Sequence, residues 1–113
     1  MVYKHIVMWK FKEQHNGKSA LENAKWMKEQ LEGLVGVVPE LLSAEVGISP
    51  ALEQVASVPA PAASGEYDAC LLSTFASPEA LAAYKVHPKH KAISAYCKEA
   101  RVKRLAFDWW SEE

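Results

Sequence analysis

Residues 2 to 11, VYKHIVMWKF, constrain the fold more than any other stretch of the chain. In an extended strand Tyr3, His5, Val7, Trp9 and Phe11 share one face, and Lys4, Ile6, Met8 and Lys10 share the other. Both faces carry apolar side chains near the middle. Such a strand belongs in a sheet covered on both sides, rather than one lying over a single core.

The rest of the pattern completes a sheet with helices. Ser19-Ala-Leu-Glu22 is a capping box, and the helix after it carries Leu21, Ala24, Met27, Leu31, Leu34 and Val35 on one stripe. Trp26 projects away from that stripe, to be covered by a neighbouring loop or by an interface. Gly33 and Gly36 loosen the helix end, and Pro39 forbids its continuation. Residues 42–48 are predicted as a short strand, and 49–65, rich in Ala, Pro and Ser, as a loop insertion. Residues 67–75, YDACLLSTF, are the clearest strand. Ser77-Pro78 then starts a helix that runs to about Val86; Pro88 breaks it, and a second piece runs from about Lys89 to Ala100. Residues 102–110 alternate Val102, Arg104, Ala106, Asp108 and Trp110 against Lys103, Leu105, Phe107 and Trp109, a last strand. The order βαββαβ predicts one α+β domain over residues 1–113. Its plan is ferredoxin-like, a four-stranded antiparallel sheet with helices on one face. The open face, with Ile6 and Met8, then calls for a second copy of the chain.

Composition excludes several functions. Thirteen basic and fourteen acidic residues leave a net charge of −1, so no bulk field recruits nucleic acid or an anionic membrane. The run Lys89-His90-Lys91, with Lys85 before it, is the one basic concentration and reads as a solvated helix end. Cys70 and Cys97 are expected to be small buried hydrophobes, with a single disulfide between them left open. The first residues lack the apolar core of a signal peptide, and no run reaches transmembrane length, so the expected location is cytoplasmic. His87 and His90 have a two-residue spacing, but Pro88 spoils a helical pair, and Asp68 and Glu79 are scattered, so no metal is expected. Phosphate-binding glycine loops, dinucleotide fingerprints and Gly-x-Ser-x-Gly elbows are absent from the sequence. The expectation is cofactor-free chemistry, or none.

KHIVMWKFK at 4–12, VVPE after the first helix, YDACLLSTFASPEALAAYKVHPKH at 67–90 and the closing FDWW together resemble the stress-responsive dimeric α/β-barrel (Dabb) domain family. The resemblance spans nearly the whole chain apart from the 49–65 loop. It implies a homodimer whose two sheets face each other as a barrel. One plant branch of the family resembles a polyketide cyclase that closes an aromatic ring without a cofactor. There a first-strand histidine, a tyrosine and a histidine at the helix corner, and a first-helix tyrosine line the pocket. His5, Tyr84 and His90 match three of these positions; Leu31 stands where the first-helix tyrosine would be.

The residues themselves support such a corner. His90, Ile93 and Cys97 lie at i, i+3 and i+7, so His90 faces the apolar side of its helix. Imidazole can take and return a proton near neutral pH, and a tyrosine hydroxyl can bond a developing enolate. The expected roles are His90 as base, with His5 and Tyr84 orienting oxygens. Trp9, Leu31, Phe75 and Tyr96 are expected to line an apolar site for a small, aromatic or polyketide-like compound. The plainer readings are that His90 and His5 are hydrogen-bonded core residues, and that Tyr84 packs on the sheet with its hydroxyl in solvent. In the same vein, His87 would bond a free helix-end carbonyl. Two other functions stay open: a non-enzymatic stress-associated protein whose corner serves folding and dimerisation, and a monooxygenase-like activity.

Overall fold

In the computed structural model, which describes residues 1–53 and 66–112, the chain folds around β1 (Val2–Phe11). A hairpin of β2 (Gln14–His15) and β3 (Lys18–Ser19) follows. It turns on Asn16 and Gly17, both at positive φ (56° and 74°), the conformation for which Asn-Gly is suited. That hairpin was not predicted, although its Asn-Gly signal is in the sequence. Helix α1 (Ala20–Glu32) starts at the capping box: Ser19 Oγ accepts from Glu22 N, and Glu22 Oε1 accepts from Ser19 N, both at 3.1 Å. Strand β4 (Ser43–Ile48), a short α2 (Pro50–Glu53) and β5 (Ala69–Phe75) come next. The predicted 49–65 loop therefore begins as helix, and residues 54–65 lie outside the described residues. Helices α3 (Pro78–Val86) and α4 (Pro88–Ala100) lead into β6 (Arg101–Ser111).

The sheet order is β4-β5-β1-β6, with every neighbouring pair antiparallel. This is the ferredoxin-like arrangement, with β1 central and the long helices on one face. That face buries Val7, Trp9, Phe11, Leu71 and Phe75 against Ala24, Met27 and Leu31 of α1 and Ile93 and Cys97 of α4. The predicted α1 stripe needs correcting at its ends: Leu21 is half-buried and Val35 exposed, while Asn23 is buried. Helix α1 has ended at Gly33, so Val35 no longer follows the helical period. Edge strand β4 is held by α1: Glu32 accepts from Val46 N at 2.9 Å, and Lys28 donates to Val46 O at 2.6 Å. Cys70 lies on the sheet's outer face and Cys97 under α4, and both are free thiols. Among the described residues, no helix is long and apolar enough to cross a membrane.

Candidate active site

The break between α3 and α4 builds one wall of a cavity. In an unbroken helix the Lys85 carbonyl would accept from Lys89 N–H. Here His87, held extended before Pro88 (ψ 134°), caps α4, and its Nδ1 accepts from Lys89 N at 3.1 Å. The Lys85 carbonyl is thereby released, and His90 Nδ1 bonds it at 3.2 Å. His87 thus serves both sides of the junction: its backbone N–H donates to the helix-end carbonyl of Tyr84 at 3.1 Å, and its ring accepts from a helix-start N–H.

The cavity has a volume of about 290 Å³. Its floor is the helix-facing side of the sheet, with His5, Val7 and Trp9 from β1 and Leu71 from β5. Leu31 of α1, Tyr84 of α3, and His90, Ile93 and Cys97 of α4 form the walls. Each histidine has one ring nitrogen committed. His5 Nδ1 meets Asp108 Oδ1 at 2.5 Å, because His5 and Asp108 are direct partners across the β1–β6 pairing. A carboxylate and a carbonyl only accept, so in both neutral rings Nδ1 carries the proton and Nε2 is left as an acceptor.

Burial holds both imidazoles below their ordinary range. For His5 the bond and charge of Asp108 oppose that effect. For His90 the Lys85 carbonyl opposes it, while the charges of His5, Lys85 and Arg104 push the same way as burial. Tyr84 is 1% exposed, and its buried hydroxyl has no hydrogen-bond partner among the described residues. Burial pushes this phenol far above its usual range, so it is a donor and not an anion. It does not reach solvent, as the plainer reading had it. Its ring lies 5.1 Å from Phe75 and 4.3 Å from His90, centroid to centroid. Cys97 is no nucleophile at neutral pH, since burial pushes its thiol up to about 11.

Of the predicted site residues, His5, Tyr84, His90, Trp9 and Leu31 meet at this cavity. Phe75 does not line it; the residue is fully buried and packs against the Tyr84 ring. Tyr96 does not line it either. Six residues from His90, it stands about 120° away round the helix. Its hydroxyl donates to Asn23 Oδ1 at 2.5 Å, and its ring meets Trp26 at 4.6 Å and His15 at 5.4 Å. That contact also accounts for Trp26, which is half-buried within the chain. Among the described residues, no three His, Cys, Asp or Glu side chains cluster as metal ligands do.

The family profile of the stress-responsive A/B barrel domain (Dabb) matches residues 3–111. The chain belongs to that family. No curated protein matches the sequence. Solved structures share the fold of this Dabb chain over nearly its whole length. A dimeric protein of unknown function and ferredoxin-like fold from Bacteroides fragilis is 22% identical, with a TM-score of 0.77 over 97% of this chain and 96% of its own. An Arabidopsis thaliana protein is 23% identical, with a TM-score of 0.71 over 98% and 96%. The hydroxynitrile lyase of Passiflora edulis is 18% identical, with a TM-score of 0.70 over 99% and 95%.

Two features of the Dabb site escaped the sequence reading. The alternation groups Asp108 with Arg104 and Ala106 without saying which side of the sheet they face, and its pairing with His5 depends on the β1–β6 register. The second feature is basic. Lys85, Lys98, Arg101 and Arg104 all line the cavity, although they are spread over twenty residues of sequence and show no run. Of the basic concentration expected at 89–91 with Lys85 before it, Lys85 lines the cavity, while Lys89 and Lys91 are exposed as a solvated helix end would be.

Proposed function

We propose that this Dabb protein binds a small apolar or aromatic carbonyl compound and catalyses cofactor-free proton transfer on it. One observation carries the reading: two imidazoles whose Nε2 atoms are unengaged, and a buried tyrosine hydroxyl without a partner, among the described residues, meet at one cavity. A base takes the proton from carbon next to the carbonyl, the C–H electrons move to the carbonyl oxygen, and the Tyr84 hydroxyl donates to the resulting oxyanion. The imidazolium then returns its proton to carbon or to a departing group. The geometry favours His5 as the base, because Asp108 compensates the charge that forms on it. His90 has only a carbonyl behind it, and Lys85 and Arg104 oppose its protonation. This exchanges the roles expected from sequence. A hydroxynitrile lyase among proteins of this fold is in keeping with chemistry of this kind.

The proposed unit is a homodimer. Its support is the sheet's outer face, where Ile6, Met8, Leu72, Leu105 and Phe107 lie together, with Leu105 51% and Phe107 64% exposed. The cavity sits on the opposite side of the sheet, so each protomer holds a whole site.

Deuterium exchange at the α-carbon of phenylacetone, followed by proton NMR in heavy water, tests the catalytic reading. The wild type should accelerate exchange, His5→Ala should lose at least about 100-fold, and Asp108→Asn should fall between them. Acceleration that survives both His5→Ala and His90→Ala, or none in the wild type, would overturn it.

A further inference from the structure

Arg101 and Arg104 are three residues apart on β6, an odd separation that in a regular strand sends two side chains to opposite faces. Here they share one face. Trp9 pairs with Arg104 and Lys10 with Lys103, but Phe11 pairs with Arg101, which makes Val102 an extra residue in β6. The bulge returns Arg101 to the helix-facing side, opposite buried Phe11, and leaves Val102 exposed. Both arginines line the cavity, together with Lys85 at the end of α3 and Lys98 at the end of α4.

This gathering of cations is only partly balanced within the chain, by the charge of Asp108 on Arg104. No acidic residue is among the described residues that line the cavity, and none of the four cations has an ion-pair partner among the described residues. The nearby Asp108 is engaged by His5. Burial, and then Arg101, hold the Arg104 pKa below its ordinary value, with Asp108 opposing. Cations at helix C-termini are unremarkable for Lys85 and Lys98. That account extends to Arg101, the C-cap of α4, but not to Arg104, and it is the bulge that brings Arg101 to the same face as Arg104.

Resting on the catalytic reading above, we propose that the ligand is an organic carboxylate. Its carboxylate is held by Arg101 and Arg104, and its carbonyl end reaches toward His5 and Tyr84. Guanidinium forks match a planar carboxylate bidentately.

Calorimetric titration of the full chain with 4-hydroxybenzoate and with 4-hydroxybenzamide tests this directly. The acid should bind the wild type at least about tenfold tighter than the amide. Arg101→Gln and Arg104→Gln should each weaken the acid about tenfold and leave the amide unchanged. The double variant should bind both equally. Lys103→Gln removes a charge between them that faces the other side of the sheet, and should change nothing. Urea denaturation of each variant confirms that it is folded, and either single variant suffices if the double is not. Equal affinity for acid and amide in the wild type, or a preference that survives in the arginine variants, would overturn the carboxylate site while leaving the pocket intact. Failure of both compounds to bind would overturn the pocket with it. Inorganic phosphate displacing 4-hydroxybenzoate at lower concentration than acetate does would overturn the choice of carboxylate.

Discussion

The His5–Asp108 pair can be weighed by a double-mutant cycle. Asp108→Ala leaves the buried Nδ1–H of His5 without its acceptor, at a cost of about 1–3 kcal/mol for an unsatisfied buried donor. His5→Ala leaves a carboxylate that water can still reach, since the Asp108 side chain is 29% exposed. A hydrogen bond to a charged group contributes about 1.5–3 kcal/mol. Partial exposure of Asp108 lowers that figure, so a coupling of about 1–2 kcal/mol is expected. Urea denaturation of the wild type, both single variants and the double variant measures it. The pH trend adds a second check. Asp108 favours the protonated form of His5, so the coupling should grow from about pH 7.5 to about pH 5.5. A coupling under about 0.5 kcal/mol, within the range of simple additivity, would refute a working pair. So would one that shrinks as the pH falls.

Tyr84→Phe removes a buried hydroxyl with no partner among the described residues, so the ligand-free protein should be as stable as wild type or more stable by up to about 2 kcal/mol, as read from urea midpoints. A loss above about 1 kcal/mol would show that the hydroxyl is satisfied in the native state. His5 and His90 both titrate below the ordinary imidazole value of 6.5 in the folded chain. Below that value the unfolded chain therefore binds protons that the folded chain does not, and stability should fall as the pH drops from about 7 to about 5. Replacing both histidines by Gln should flatten that part of the thermal-stability profile, and an unchanged slope would assign it to other groups. Phe107→Lys places a charge on the exposed apolar sheet face; light scattering should then report a monomer where the wild type is expected to be a dimer, and an unchanged mass would exclude that face as the interface.

The order of elements was legible in the sequence because each carries its own local cause. Two-residue alternation marks β1 and β6, an unbroken apolar run marks β5, Ser19 and Glu22 cap α1, and Pro88 parts α3 from α4. From these alone the βαββαβ plan follows, and with it the face on which His5 and Trp9 lie. The helical period likewise aligns His90 with Ile93 and Cys97. Tertiary structure decided what those residues meet. Asp108 reaches His5 only because the β1–β6 register makes them partners. The Lys85 carbonyl is open to His90 only because His87 takes the bond that Lys89 would have made. Phe75 and Tyr96 look as suitable for a pocket as Trp9, yet one is sealed behind Tyr84 and the other is turned toward α1. A one-residue bulge at Val102, invisible in a pattern of alternating residues, reverses the face of Arg101 and completes the basic side of the cavity. Local sequence sets periodicity and breaks, because those depend on neighbours within a turn or two; partnership across a sheet depends on register, which only the assembled chain sets.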